Sequence, residues 1–272
     1  MTCFVSFNIN GIRARQHQLE AVRDIIKPDV MGLQETKVHD EQFPLSDIES
    51  LGYHVEYFGQ KGHYGVALVS KVAPIFVQKG FPGEDAEAQK RFIHARYLLD
   101  EREIDVLNGY FPQGESQDHP TKYPMKRAYY ADLIAYIDTL KAEGRTLIVM
   151  GDMNIAPEDI DVGIGEVNAK RWLKNGKTSF LPEEREWYDA LMSRELIDTY
   201  RQHYPDSDKL SWFDYRSRGF NDEPKRGMRI DHILCTPDLT DQCIDAGISY
   251  ELRAMEKPSD HAPIWSTFDL NQ

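Results

Sequence analysis

The sequence predicts an α/β fold, one domain spanning residues 1–272 and built as two packed mixed sheets with helices outside. Short apolar runs of strand length alternate with stretches of helical periodicity, the pattern of sheets covered by helices. Several of those runs end in a carboxylate, an amide or a phenol. Two of them echo each other: Phe4-Val5-Ser6-Phe7-Asn8-Ile9-Asn10 and Leu147-Ile148-Val149-Met150-Gly151-Asp152-Met153-Asn154 are both apolar strands closed by an amide-bearing turn, which predicts pseudo-symmetric halves. No linker or low-complexity segment divides the chain.

The elements follow in order. Cys3 to Phe7 is a strand, closed by Asn8-Ile9-Asn10-Gly11. Arg13 to Ile26 sets Leu19, Val22 and Ile26 on one helical face, and Pro28 stops it. Val30 to Gln34 is a second strand and ends at Glu35, while Tyr64 to Val69 is a third. The loop before it, Gly59-Gln60-Lys61-Gly62-His63, is of a kind that approaches phosphate through backbone N–H groups, although a plain hairpin connection is its ordinary reading. Arg91 to Leu99 and Ile104 to Leu107 are strands around a charged hairpin, and the second arm delivers Tyr110 within Asn108-Gly109-Tyr110-Phe111-Pro112-Gln113-Gly114. Pro124 to Glu143 carries Tyr130, Leu133, Ile137 and Leu140 at helical spacing, with Gly144 as its cap.

Leu147 to Met150 is the next strand, after which the strand signal lapses from Asp159 to Lys177, where Lys170, Arg171, Trp172, Lys174 and Lys177 form a basic and aromatic cluster. Pro182-Glu183-Glu184 opens another helix, with acids near its positive end. His203 to Arg229 is long, polar and rich in Gly, Arg and aromatics, which reads as a functional loop. Arg229 to Leu234 returns to a strand, and Lys257-Pro258-Ser259-Asp260-His261-Ala262-Pro263 leads into the last one, Ile264 to Phe268.

Bulk composition narrows the function. A hydrophobic content of 41% is enough for a substantial core, and 11% aromatics argue against disorder. The excess of 45 acids over 32 bases, a net charge of -13, has the wrong sign for a protein that coats nucleic acid nonspecifically. Cys3, Cys235 and Cys243 form neither a disulfide framework nor a zinc pattern and read as reduced thiols. With no signal-type N-terminus and no apolar run of transmembrane length, the expectation is a soluble cytoplasmic protein without membrane contact.

Asn8, Glu35, Tyr110, Asp152, Asn154, Asp231, Asp260 and His261 each lie at or beside the end of an expected strand. If those ends converge on one rim, the resulting hard oxygen donors suit Mg²⁺, with Mn²⁺ as a substitute, and the scarcity of Cys argues against zinc. Phosphodiester hydrolysis needs an attacking water, relief of charge on the nonbridging oxygens and a stabilised leaving alkoxide. A metal on Glu35 answers the last two needs, Asp152 can deprotonate water, Asn154 can donate to charge developing on phosphate, and His261 beside a carboxylate can bind phosphate as an imidazolium, with Asp231 its partner.

GLQETK at 32–37, NGYFPQG at 108–114, GDMNIAP at 151–157, RID at 229–231 and KPSDHAP at 257–263 together resemble the bacterial exonuclease III branch of the exonuclease, endonuclease and phosphatase superfamily. FNINGIRAR, GQKGHYGVAL, SFLPEEREW and SWFDYRS extend the resemblance over nearly the whole chain. It implies a four-layered α/β sandwich acting in DNA repair: cutting 5′ to abasic sites, digesting duplex DNA from 3′ ends, and removing 3′ phosphates, with a divalent metal; a nuclease that wraps duplex DNA along one face is expected to be a monomer. It further implies Glu35 as principal metal ligand with Asn8 and Asn10 close by, and Asp152, Asn154, Asp260 and His261 around the metal. Tyr110, Asp152 and His261 resemble the catalytic set, Asn154 the transition-state stabiliser and Asp231 the support of His261. Which of Asp152 and His261 takes the proton from water stays open.

On the same resemblance, Trp212, Met228 and Ile230 line an apolar pocket for the flipped abasic sugar, and Asn10 and Gln113 face DNA. Phosphate contacts are expected from locally basic segments, namely Arg13, Arg15, Lys61, Arg91, Lys122, Lys170, Arg171, Arg216, Arg218 and Arg229. Asn221 to Lys225 is slightly longer than in related chains, which alters the pocket wall. Two other readings compete: a phosphoesterase for lipids or small molecules, and a scaffold that binds DNA without cutting it. The Trp172 cluster and the Arg216 to Phe220 loop favour a polymeric substrate.

Overall fold

The computed structural model describes residues 1–271, and its backbone forms two six-stranded sheets. The first contains β1 (Thr2–Asn8), β2 (Val30–Gln34), β3 (His54–Phe58), β4 (Val66–Ser70), β11 (Cys243–Ile248) and β12 (Ile264–Phe268), in the order β11-β12-β1-β2-β4-β3. The second contains β5 (Phe76–Lys79), β6 (Phe92–Leu99), β7 (Arg102–Tyr110), β8 (Leu147–Asp152), β9 (Ile197–Asp198) and β10 (Asp231–Cys235), in the order β5-β6-β7-β8-β10-β9. Each sheet has one parallel pair at its centre, β1 with β2 and β7 with β8, flanked by antiparallel neighbours. The two sheets repeat one arrangement around a parallel crossover pair, so the halves are alike in topology; the echoing segments β1 and β8 are both central, but β1 opens its pair and β8 closes its own, which makes β7 the counterpart of β1.

Central strands look continuously apolar because both faces are covered. Along β8, Ile148 and Met150 face the core between the sheets, while Leu147 and Val149 face a second core formed with Tyr130, Leu133, Ile137, Tyr188 and Leu191. These last residues belong to α3 (Lys122–Ala142) and α5 (Pro182–Met192). On the other side, Val5 and Phe7 of β1 pack with Leu19 and Val22 of α1 (Gln16–Ile25) and Ile48 of α2 (Leu45–Ser50). The result is helix, sheet, sheet, helix: four layers. Asn108 ties the two sheets near one rim, its amide donating to the carbonyls of Leu33 and Ala67 and its oxygen accepting from Gln34.

Four strands and four helices, the short α2, α6 (Thr199–His203) and α7 (Tyr250–Arg253) together with α4 (Glu166–Lys174), escaped the sequence reading. β3 and β5 are half-exposed edge strands, β9 has two residues, and β11 is only alternately buried, so none presents an apolar run. The basic and aromatic cluster is α4 (Glu166–Lys174), which buries no residue fully and therefore lacks a core stripe. From 203 to 229 the chain leaves α6 (Thr199–His203) and runs without strands or α-helix, making only a 3-10 turn at Gly219–Asn221. No helix among the described residues is long and apolar enough to cross a membrane.

Candidate active site

The parallel centres of the two sheets explain why expected strand ends meet. β1, β2, β7 and β8 finish at Asn8, Gln34, Tyr110 and Asp152, and the antiparallel β10 and β12 start at that same rim, β10 with Asp231 opposite Asp152. Glu35 follows β2 directly, and Asp260 and His261 lie on the approach to β12. Glu35, Tyr110, Asp152, Asn154, Asp260 and His261 line one cleft of about 220 Å³ together with Gln113, Trp172, Ser179, Trp212, Met228 and Ile230. Asn10, Glu35 and Asn154 all hold left-handed backbone, with φ of 47°, 57° and 53°. Asn tolerates this region; Glu rarely does, and such conformations gather at functional sites.

Asp152 is at the centre. Its carboxylate accepts from the Asn8 side-chain amide at 2.8 Å and from the Asn154 backbone N–H at 3.1 Å, and one of its oxygens lies 3.7 Å from His261 Nε2. His261 Nδ1 is 2.8 Å from Asp231, whose carboxylate also accepts from the Ser211 hydroxyl at 2.6 Å. Burial pushes the Asp152 carboxyl up, to about 7, against the pull of His261 and with a further push from Asp231. Burial works against protonated His261, yet Asp231 and Asp152 outweigh it and hold the imidazole up, to about 10. The flanking carboxylates of Asp231 and Asp152 therefore favour the imidazolium form of His261. Tyr110 is kept protonated by burial, then by the fields of Glu35 and Asp152.

The Asn154 amide donates to the Phe111 carbonyl at 2.9 Å, which leaves its second N–H for the cleft. Asp260 accepts from Asn10 at 2.7 Å and from the Trp212 indole at 3.1 Å. Glu35 is 3.0 Å from the Lys37 ammonium. The donor set fits a hard divalent cation by its chemistry, since the carboxylates of Glu35, Asp152 and Asp260 line one cleft with the side-chain amide of Asn154. Asp152, Asp231 and His261 also bring ligand atoms within 4.8 Å of one another, but Asp231 is committed to His261 and Ser211.

Trp212, Met228 and Ile230 are brought together as expected, in an apolar cluster with Ala156 and Phe180 that Trp172 partly covers. Of the expected phosphate contacts, Arg13, Lys61, Lys122, Lys170, Arg171, Arg216 and Arg218 are exposed, whereas Arg15 is half-buried and donates to the Asn10 carbonyl and the Tyr215 hydroxyl. Arg91 is also half-buried, its guanidinium 4.4 Å from the Tyr64 ring and 4.6 Å from the Tyr110 ring. Arg229 corrects the sequence reading. It is 1% exposed and paired with Asp161 at 2.6 Å and Asp198 at 2.8 Å, so it is a buried structural cation that cannot reach a phosphate. Two chemically important residues were missed: Ser211, one position before Trp212, and Lys126, whose place in the 126, 130, 133, 137 spacing of α3 marks it as a charge on a core face.

Comparison with known proteins gives this arrangement a context. The chain is 55% identical over 266 residues to exodeoxyribonuclease III of Haemophilus influenzae, covering 97% of this chain and 99% of that protein. Its fold superimposes on an AP endonuclease from Archaeoglobus fulgidus with a TM-score of 0.89 at 35% identity, covering 99% and 100% of the two chains. It superimposes equally on the 3′ phosphatase NExo of Neisseria, bound to a product DNA hairpin, with a TM-score of 0.88 at 33% identity and the same coverage. The Endonuclease/Exonuclease/phosphatase family model matches residues 5–261, and the chain belongs to that family.

Proposed function

We propose that this chain is a DNA-repair nuclease that hydrolyses phosphodiesters of duplex DNA, as a 3′-to-5′ exonuclease, an endonuclease cutting 5′ to abasic sites, and a 3′ phosphatase. In each reaction water attacks a phosphorus esterified at O3′ and the 3′ alkoxide leaves, so one geometry serves all three. The observation that carries this reading is that Asp152 and His261, the latter held from behind by Asp231, line one cleft with the apolar wall of Trp212, Met228 and Ile230.

Asp152, held by Asn8 and Asn154, orients the attacking water and accepts its proton. His261, charged and braced by Asp231, donates from Nε2 to a nonbridging phosphate oxygen. The free N–H of Asn154 and the protonated hydroxyl of Tyr110 donate to charge that grows on the phosphate in the transition state. Glu35, with Asn8, Asn10, Asp152, Asn154 and Asp260 around it, would hold a divalent cation, Mg²⁺ or Mn²⁺, and the cation supplies charge relief to the phosphate and the leaving oxygen.

The missing base of an abasic site lowers the cost of extrusion, and the sugar then meets the Trp212, Met228 and Ile230 wall. Exposed Lys122, Arg171 and Arg216 with Gln113 hold the backbone without reading sequence, which reconciles DNA binding with a net charge of -13. We place the protein in the cytoplasm as a monomer. The test is cleavage of a 5′-labelled duplex carrying one abasic-site analogue, with Mg²⁺, with Mn²⁺ and with EDTA. A metal-dependent nick 5′ to the lesion is expected, with laddering from the 3′ end. Absence of cleavage under every condition would overturn the nuclease reading.

A further inference from the structure

Beneath the cleft lies an ion pair that the mechanism above does not use. Lys126 of α3 and Glu184 of α5 are both fully buried, with Nζ 2.5 Å from Oε1. The ammonium also donates to the Asn154 carbonyl at 2.8 Å and, more weakly, to the Gln113 carbonyl at 3.4 Å. Its three protons therefore have three acceptors, two of them backbone atoms of cleft residues. The other oxygen of Glu184 accepts from the backbone N–H groups of Ser179 and Leu181 at 2.7 and 2.9 Å. The Ser179 carbonyl in turn accepts from the Ala156 N–H at 2.6 Å, and the Gln113 side chain donates to Thr178 at 3.0 Å. One buried pair thus joins the three loops that follow β7, follow β8 and precede α5.

Removing two charges from water is a poor way to gain stability, because apolar residues of similar volume serve as well. What apolar residues cannot do is hold two carbonyls at fixed directions. Asn154 needs such a hold, since its left-handed backbone, φ 53°, decides where its side-chain amide points.

We propose that Lys126, with Glu184 as its counter-ion, is a positioning residue for the nuclease reaction, fixing the backbone of Asn154 and Gln113 and so the aim of the Asn154 amide into the cleft. The inference rests on the function proposed above. Its test is the double variant Lys126→Met/Glu184→Gln, which leaves no uncompensated buried charge, with Lys126→Met alone as the second variant. Cleavage of the abasic-site duplex is measured for each, with and without Asn154→Ala. Folded variants lose at least about tenfold in kcat with a smaller change in KM, as expected of a displaced transition-state contact. Asn154→Ala then costs less in the variant background than in the wild type, because the amide is already misaimed. Hydrogen exchange of the 153–156 amides provides a readout independent of activity and speeds up at least about tenfold as the loop loosens.

Unchanged kcat, additive effects with Asn154→Ala, or unchanged exchange at 153–156 would each overturn the positioning role. Failure of both variants to fold would assign the pair to stability alone and overturn it too. A wild-type chain that leaves the duplex intact would sink the proposed reaction instead, and the exchange measurement would still decide whether Lys126 holds the loop.

Discussion

Gly151→Ala tests the link between strand packing and chemistry. Gly151 sits opposite Gly109 in the parallel pair of β8 with β7, one residue before the Tyr110 and Asp152 pairing that reaches the cleft. An added Cβ at Gly151 would lie 2.0 Å from the Gly109 carbonyl oxygen and 2.9 Å from its carbon, both backbone atoms that no rotamer change can move. Contacts between nonbonded heavy atoms need about 3 Å or more, so the two strands must part by roughly 1 Å. Displacements of that size cost on the order of 10²-fold in rate when they separate catalytic groups. The backbone at Gly151, φ 152°, adds strain for any L side chain. Overpacking of about 1–3 kcal/mol together with that strain lowers the melting temperature by roughly 5–15 °C.

The assay is steady-state cleavage of the abasic-site duplex well below the melting point, alongside a thermal melt. Gly144→Ala is the control, because Gly144 has φ +71° but nothing within 4 Å of its added Cβ. It should lose about 1 kcal/mol of stability and no activity. A Gly151→Ala protein with wild-type turnover and a melting temperature within about 1 °C of the parent would refute the reasoning, since an overlap of this kind has no harmless resolution.

Other substitutions separate stability from binding. Asp105 is held below its ordinary range: burial pushes it up, but hydrogen bonds from His94, Arg145 and Arg96 prevail. It therefore contributes stability above its unfolded value of about 4, and that contribution is lost as the pH falls through its lower folded value. Asp105→Asn should cost about 3–5 kcal/mol at pH 7 in denaturant unfolding, with the deficit shrinking below pH 4, and a constant deficit from pH 7 to 3 would contradict the pairing. Arg229→Met leaves Asp161 and Asp198 short of a partner and should cost a similar ~3–5 kcal/mol while the salt dependence of DNA binding stays put; a slope reduced by about 1 would return Arg229 to the DNA surface. Arg216→Ala should do the reverse, lowering that slope by about 1 without moving the melting temperature, and an unchanged slope would remove Arg216 from the DNA-contact set.

The sequence by itself determined the fold class, because the strands that carry it are covered on both faces and announce themselves as apolar runs: Val30–Gln34 and Ile264–Phe268 were read to the residue. It also marked most polar members of the cleft, since each ends one of those runs, as Asn8, Tyr110 and Asp152 do. The edge strands β3 and β5 and the exposed helix α4 were hidden for the complementary reason, that half-solvated elements need no periodic apolar face.

Tertiary structure alone decided what each charge is for. Arg229 and Arg216 look alike as letters, yet one is enclosed by Asp161 and Asp198 and the other is open to solvent. Lys126 resembles any helix lysine until α3 is laid against α5 and Glu184 faces it across 58 residues of sequence. Partners so distant are chosen by how layers stack, and the energy of a charge depends on the water and the opposite charge around it, neither of which is written in the local pattern.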